Sequence, residues 1–341
     1  MGELIGKRFY LEKLLKKNTL NFLHEIKGNF VVSYSNCISY NPHMNLSIAG
    51  APGLTDEEFR ILRDYIYRRC GMYFEDSKKF YLEHKLGRRL KELGSRSFSQ
   101  YFMDVQQSGG DTTEIQEIFN SVTTTETCFY RNTPQMQAFR NLVLPEVVAE
   151  KFSSGSKTLK IWSAGCATGE EPYTLAMLAL EGAPSFPADL RIEIMATDIN
   201  RSAMNTAERG IYSAQAAKRL PDNLRERYMT PHGDGFRVNR EVRNMVTYRF
   251  FNLANGTRYI SFGKMDIVFC RNVLIYFAEA SRRKALEDLS RVLNPTGFLF
   301  VGYSENALMM PSRFSLVHYN SRPVCYKVVS LKGNSHRKTR H

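Results

Sequence analysis

The sequence predicts an α/β protein whose doubly wound, mostly parallel sheet of seven strands follows a small all-α domain. From residue 159 onward, short apolar strand patterns alternate with helical patterns, which is typical of a parallel sheet with crossover helices. The last two strand patterns are separated only by Asn320-Ser-Arg-Pro323, which is too short for a crossover and indicates an antiparallel hairpin. Between residues 54 and 122, by contrast, apolar residues recur at helical spacing.

The helical part opens with a capping box, Thr55-Asp-Glu-Glu58, in which Thr55 is the N-cap residue. Phe59, Leu62 and Ile66 then share one helical face, and Gly71 is a plausible stop. Three further helices are predicted over residues 82–93, 98–105 and 115–122. Four short helices of about 70 residues together make a small domain, which cannot account for the whole chain.

The α/β part is predicted from seven strand patterns and the helices between them. The strands are expected at residues 159–164, 192–197, 246–251, 266–270, 297–302, 314–319 and 324–329. Helices are expected at 172–180, from about 201, and at 280–292. Residues 210–245 interrupt this alternation, and the turn sequence Gly233-Asp-Gly235 within them predicts a small antiparallel insertion.

These patterns divide the chain into five parts. The expected parts are an extension of unknown role (1–50), the helical domain (51–122), a linker that closes the pocket (123–158), the sheet domain (159–330) and a basic tail (331–341).

The formal net charge of +13 is compatible with a nucleic acid, an anionic membrane or an acidic protein as partner. Part of it lies in the tail, and a second basic concentration lies at residues 78–96, inside a helical pattern. No apolar run reaches the ~18 residues of a membrane span, and the N-terminus lacks a signal-peptide core, so we expect a cytoplasmic protein without membrane insertion. Six cysteines without a C-x-x-C pair argue against a metal site.

A cofactor pocket is predicted where the first strand ends, because ligands of open α/β sheets bind beyond the carboxyl ends of the strands. Gly165 and Gly169 follow that strand, and Glu170 and Glu171 come directly after them. The spacing is not G-x-G-x-x-G, and the two acids would repel a pyrophosphate. A cofactor with a positively charged methionine portion, S-adenosylmethionine, suits them better. The alternative is that both acids merely favour the start of a helix.

Two further strand ends add to this pocket. Asp198 ends the second strand, where a carboxylate can accept hydrogen bonds from ribose hydroxyls, although it can also be a helix N-cap. Arg271 and Asn272 end a buried strand, and Tyr276 follows. This last segment lacks the Asp/Asn-Pro-Pro-aromatic signature of amino-group methylases that act on nucleic acids.

Four segments together closely resemble the CheR family, the glutamate O-methyltransferases of chemotaxis receptors. The segments are Thr123-Thr-Thr-Glu-Thr-Cys-Phe-Tyr-Arg131, Trp162-Ser-Ala-Gly-Cys-Ala-Thr-Gly-Glu-Glu-Pro-Tyr173, Phe269-Cys-Arg-Asn-Val-Leu-Ile-Tyr-Phe277 and Gly302-Tyr-Ser-Glu-Asn306. The resemblance runs from about residue 54 to about residue 329. It implies an S-adenosylmethionine methyltransferase domain carrying a small β-subdomain, behind an N-terminal helical domain.

The resemblance also implies functional residues. Cofactor contacts, to S-adenosylmethionine and its product S-adenosylhomocysteine, would fall on Thr125, Thr127, Arg131, Glu171, Asp198, Asn252, Leu253, Arg271 and Asn272. Arg131 and Tyr276 would line the site of methyl transfer.

The family's substrate is a set of glutamate side chains on the cytoplasmic helical domain of methyl-accepting chemoreceptors. In the family this substrate faces the second helix. In this chain that helix carries Lys85, Arg88, Arg89 and Lys91. A solvated polar face is the alternative explanation of these four residues. The resemblance implies a monomer that does not act on nucleic acid.

The implied reaction needs no strong general base, since a glutamate with a pKa near 4.3 is ionised at neutral pH. Proximity and alignment would then do most of the catalysis. Two alternatives remain: a non-catalytic S-adenosylmethionine-binding sensor or scaffold, and a nucleic-acid methyltransferase, which the net charge alone favours.

Overall fold

The structure is a computed structural model that describes residues 53–107, 112–305, 310 and 312–329. The predicted extension at 1–50, the basic tail at 331–341 and Asn306 of the fourth motif lie outside the described residues.

The described residues of the helical part form four α-helices, α1 (Asp56–Cys70), α2 (Lys79–Leu93), α3 (Phe98–Gln107) and α4 (Thr112–Val122), with a 3-10 turn at Asp76–Lys78 before α2. The predicted capping box is present, since the Glu58 N–H donates to Thr55 Oγ1 and the Thr55 N–H donates to Glu58 Oε2, at 3.2 and 2.9 Å. α1 and α2 both end at a glycine in the left-handed conformation, Gly71 and Gly94. The predicted all-α region is therefore confirmed.

The segment that follows is helical, although no helix was predicted there. α5 (Thr133–Ala138) continues through a π-helical turn at Phe139–Val143 into α6 (Leu144–Ser153). The apolar residues Phe139, Val143 and Leu144 are fully buried against the sheet. This pair of helices connects the helical domain to the first strand.

The main sheet has seven strands in the order β6-β2-β1-β7-β8-β10-β9. The strands are β1 (Thr158–Ala164), β2 (Arg191–Asp198), β6 (Val246–Phe250), β7 (Met265–Cys270), β8 (Leu293–Val301), β9 (Phe314–Tyr319) and β10 (Arg322–Val328). The first five in spatial order are parallel, and β10 is antiparallel to both of its neighbours. The main helices between the strands are α7 (Glu170–Gly182), α8 (Arg201–Arg209) and α12 (Glu279–Val292).

The insertion before β6 forms a second, three-stranded antiparallel sheet in the order β3-β5-β4. It comprises β3 (Ile211–Ser213), α9 (Ala214–Ala217), α10 (Asp222–Tyr228), β4 (Met229–His232), β5 (Gly235–Val238) and α11 (Arg240–Arg243). The β4–β5 hairpin turns at Gly233 and Asp234, as the sequence predicts. The predicted fold class is thus confirmed in both sheets.

The order of the strands places β1 between β2 and β7, so the chain leaves β1 at the switch point of the sheet. The helical domain packs at this edge. Met72, just after α1, forms a β-bridge with Phe277, and Gln116 Nε2 of α4 donates to the Ile199 carbonyl oxygen at 2.7 Å. Across the described part of the chain, we find no helix long and apolar enough to cross a membrane.

Candidate active site

A pocket lies at the carboxyl ends of β1, β2 and β7, between the sheet and the helical domain. Its lining comes from Cys70 and Met72, and from residues within the segments 123–131, 165–171, 198–199, 251–253 and 271–277. Three of the four motif segments therefore meet in one cavity. Every residue predicted to contact cofactor lines it except Thr125, and Tyr276 lines it too.

The loop after β1 brings backbone close to this cavity. Gly165 has a φ of +85°, and a Cβ atom there would lie 2.3 Å from Val273 Cγ2 in the loop after β7. Only glycine satisfies both conditions. The two loops are therefore in direct contact, and the position of each depends on the other.

The two acids after Gly169 have different environments. Glu171 lines the pocket, where Oε1 accepts from Ser163 Oγ at 2.7 Å and Oε2 pairs with Arg271 Nη1 at 3.0 Å. The Glu170 carboxylate instead accepts from Thr168 Oγ1 at 2.7 Å, and burial raises its pKa. Of the two acids, only Glu171 is thus placed to act on a ligand.

Arg271 is a buried cation at the centre of the site. Besides its pair with Glu171, Nη2 donates to the Arg131 carbonyl oxygen at 2.7 Å. Its Nε is buried and has no hydrogen-bond partner. Burial lowers the pKa of Arg271, while the nearby Glu171 carboxylate raises it. Arg271 therefore joins the linker to α7 through its two terminal nitrogens.

Asp198 lies at the end of β2, and its two oxygens accept the N–H groups of Ala167 and Asn200, each at 2.8 Å. Burial raises the pKa of Asp198, and these backbone bonds oppose that shift. A carboxylate offers about four lone-pair sites, so Asp198 retains acceptor capacity for a hydroxyl group. The alternative role as N-cap belongs to another residue, since Asn200 Oδ1 accepts from the Ala203 N–H that opens α8.

The linker segment contributes Thr127 and Arg131 to the pocket lining. The Nη1 atom of Arg131 donates to the Glu126 carbonyl oxygen at 2.9 Å. Thr125 is exposed and does not line the pocket, so its predicted contact has no support in this geometry. Thr123 lines the pocket instead, and its Oγ1 accepts from Asn200 Nδ2 at 2.7 Å.

The segment after β6 supplies Asn252 and Leu253. The Asn252 side chain is already engaged, because Nδ2 donates to the Arg69 carbonyl oxygen at 2.7 Å and Oδ1 accepts from the Ala254 N–H at 2.9 Å. Asn252 thus joins the sheet domain to the end of α1. Leu253 is buried and gives the pocket an apolar surface.

The loop after β7 forms the opposite wall. Asn272 has a φ of +59°, and Tyr276, which is 36% exposed, lies at the pocket's open side. The Tyr276 carbonyl oxygen accepts from the Tyr73 N–H at 3.0 Å, which ties this loop to the helical domain.

The four basic residues of α2 that were predicted to face the substrate are not equivalent. Lys85 Nζ lies 5.6 Å from the centre of the Tyr81 ring, and Arg88 is exposed with Glu92 at 3.5 Å. Arg89 makes two bonds to Glu114 of α4, at 3.0 and 2.7 Å. Arg89 is therefore held within the helical domain. Because its guanidinium group is engaged by Glu114, the geometry does not support its predicted contact with substrate. Lys91 is exposed.

Several lining residues escape sequence reasoning because they are apolar or belong to the helical domain. They include Cys70, Met72, Phe251 and Phe277. Cys70 and Met72 flank Gly71, whose stop signal marks where the chain turns but does not indicate that it turns toward a pocket.

The pocket suits S-adenosylmethionine in its chemistry. Asp198 retains acceptor capacity for ribose hydroxyls, and Glu171 provides a carboxylate for a cationic amino-acid portion. Phe251 and Leu253 give apolar surface for a planar base. Within the described residues, no group of three or more His, Cys, Asp or Glu side chains could hold a metal ion.

Comparison with known proteins gives consistent matches along the chain. The family described as CheR methyltransferase, SAM binding domain, matches residues 125–322, and CheR methyltransferase, all-alpha domain, matches residues 57–123. Chemotaxis protein methyltransferase 2 of Vibrio cholerae is 34% identical and covers 84% of this chain and 97% of its own length. The chemotaxis protein methyltransferase of Escherichia coli is 33% identical, covering 77% and 89% respectively.

Proposed function

The chain belongs to the CheR family of S-adenosylmethionine-dependent chemotaxis methyltransferases, and we propose that its substrates are glutamate side chains on chemoreceptors. The products would be glutamate methyl esters and S-adenosylhomocysteine. The observation that carries this proposal is that the basic helix α2 is hydrogen-bonded, through Tyr81 and Val122, to the start of the linker that lines the cofactor pocket.

The contact between α2 and the linker lies close to the pocket. Tyr81 of α2 donates from its hydroxyl to the Val122 carbonyl oxygen at 3.1 Å, at the start of the pocket-lining linker. Lys85 lies over the same ring, and Arg88 follows one turn later. An acidic side chain that enters the pocket therefore passes beside positive charge, which favours carboxylate-bearing substrates.

The site requires little chemistry from the protein. When bound, S-adenosylmethionine supplies a methyl group on a positively charged sulfur. A glutamate carboxylate, which is ionised at neutral pH, would accept this methyl group without prior deprotonation, and S-adenosylhomocysteine would be the leaving group. Opposite charges are neutralised as the ester forms, so a poorly hydrated pocket favours the reaction. Arg131 and Tyr276 would align the reactants at the pocket's open side.

A protein substrate also agrees with the surface around the opening. Tyr73, Ile275 and Tyr276 expose between 36% and 44% of their surface, and the Tyr73 and Tyr276 backbones are directly hydrogen-bonded. Exposed apolar residues grouped in this way are typical of an interaction surface. We propose that Lys85, Arg88 and Lys91 contact acidic residues of the substrate helix, and that Arg89 does not.

We further propose that the enzyme acts in the cytoplasm as a monomer and does not modify nucleic acid. Light scattering of the purified protein tests the first point, because a dimeric mass would contradict it. Incubation with labelled cofactor and total nucleic acid tests the second.

The central test is incubation of the protein with methyl-labelled S-adenosylmethionine and receptor-containing membranes. We expect label on a receptor-sized band that mild base releases, as a carboxyl methyl ester requires. The variant Arg131→Ala should lose most of this activity, while Arg191→Ala, an exposed arginine at the other end of β2, should retain it. Cofactor binding without any transfer to receptors would instead support a sensor or scaffold.

A further inference from the structure

The fourth motif segment, from Gly302 to Glu305, contributes no residue to the pocket lining. Its Glu305 is fully buried, with 0% of its surface exposed. A buried carboxylate is costly unless its oxygens are saturated with hydrogen bonds. The contacts of Glu305 therefore indicate what it does.

Glu305 accepts hydrogen bonds from five backbone N–H groups. Oε1 accepts from Val273, Leu274 and Ile275 at 3.0, 2.8 and 3.2 Å. Oε2 accepts from Asn272 at 2.8 Å and from Gly302 at 2.5 Å. Four consecutive N–H groups of the loop after β7 thus converge on a single side chain.

This loop is the wall that carries Asn272 and Tyr276 and contacts the glycine loop. Its backbone is unusual, since Asn272 has a φ of +59° and Val273 lies 2.3 Å from where a Cβ of Gly165 would be. Four N–H groups that point toward one spot would repel one another without an acceptor. The Glu305 carboxylate provides that acceptor and fixes the turn.

The charge of Glu305 acts on the pocket as well. Arg271 is buried next to this turn, and the Glu305 carboxylate raises its pKa against the effect of burial. Glu305 therefore stabilises both the shape of the loop and the cation that pairs with Glu171.

We propose that Glu305 is a positioning residue for methyl transfer, which acts by holding the loop 271–277 in its binding conformation. The proposal rests on the proposed function only in that this pocket binds the methyl donor. It assigns no contact between Glu305 and substrate.

The variant Glu305→Gln tests this role because it keeps the shape of the side chain. An amide has one acceptor oxygen and a donor in place of the other, so at least two of the five N–H groups lose their acceptor. We expect the Kd for S-adenosylhomocysteine to rise about tenfold or more by calorimetry. Single-turnover transfer at saturating cofactor should fall about a hundredfold, because Tyr276 is displaced.

Hydrogen exchange separates positioning from general stability. In Glu305→Gln, exchange should increase at residues 272–275 while the strands β1 and β2 keep wild-type protection. The matched control is Glu279→Gln, an exposed glutamate paired with Arg283, which should match the wild type in every measurement.

Wild-type affinity and wild-type local exchange in Glu305→Gln would overturn the proposal, and so would a uniform increase in exchange across the sheet. If the wild type binds cofactor but labels no receptor, the proposed substrate is wrong, and the binding and exchange data still decide the role of Glu305.

Discussion

Replacing Glu171 with Gln should destabilise the protein more than the loss of an exposed ion pair would. The Glu171 and Arg271 side chains are 12% and 3% exposed, and their charged atoms lie 3.0 Å apart. Removing the carboxylate leaves Arg271 as a buried cation whose Nε already has no partner. Breaking a buried pair costs roughly 3–5 kcal/mol, and the nearby Glu305 offsets part of that, so we expect a loss of about 3 kcal/mol in the free energy of unfolding.

The assay is denaturant unfolding, with cofactor affinity measured in parallel. Glu181→Gln is a matched control in the same helix, because its carboxylate is also 12% exposed but its partners Arg227 and Arg140 are 61% and 43% exposed, and a glutamine can still accept from the Tyr228 hydroxyl. That variant should lose less than about 1 kcal/mol. The double variant Glu171→Gln/Arg271→Met should recover part of the stability lost in Glu171→Gln. A loss below about 1 kcal/mol in Glu171→Gln would refute this reasoning about the buried cation.

Three further predictions concern single residues. Gly165→Ala should lower the free energy of unfolding by about 2–4 kcal/mol and remove most of the cofactor affinity, because the new Cβ meets Val273 and φ is positive there. The control Gly155→Ala also has a positive φ but has open space around it, so it should lose about 1 kcal/mol. Equal losses in denaturant unfolding would contradict this. Burial holds the pKa of Asp198 above its ordinary value, so the contribution of Asp198 to stability is present below the ordinary pKa and is lost as pH rises through the raised pKa. Cofactor affinity needs the ionised carboxylate and should therefore weaken as pH falls through the raised pKa. Calorimetry across pH checks this, and an affinity that does not change with pH would contradict it. Arg89→Met should lower unfolding stability by about 1–2 kcal/mol with an unchanged KM for receptor, because its partner is Glu114; a raised KM without destabilisation would restore it as a substrate contact.

The fold was largely predictable because its signals are local. The capping box at Thr55, the change of period at residue 159 and the short connection before Pro323 each correspond to an element found in the structure. Helices α5 and α6 were not predicted. Each carries a proline near its start, Pro134 and Pro145. A proline usually indicates the end of a helix, but these two occupy first-turn positions, which helices tolerate.

The site was predictable where a residue follows a strand end. Asp198, Arg271 and Glu171 meet because parallel strands bring their carboxyl ends to one edge. Contacts that depend on the packing of side chains between segments far apart in the chain were not predictable. The pairing of Arg89 with Glu114, the exposure of Thr125 and the convergence of five N–H groups on Glu305 all belong to this kind.

The measurement that tests the central claim most directly is site mapping of the transferred methyl group on a purified chemoreceptor cytoplasmic fragment by tandem mass spectrometry. We predict methyl esters on glutamate side chains of the receptor helices, lost on mild base treatment and absent when the fragment's glutamates at those positions are replaced by alanine. Base-stable methylation on nitrogen, or transfer to nucleic acid with none to the receptor, would contradict it.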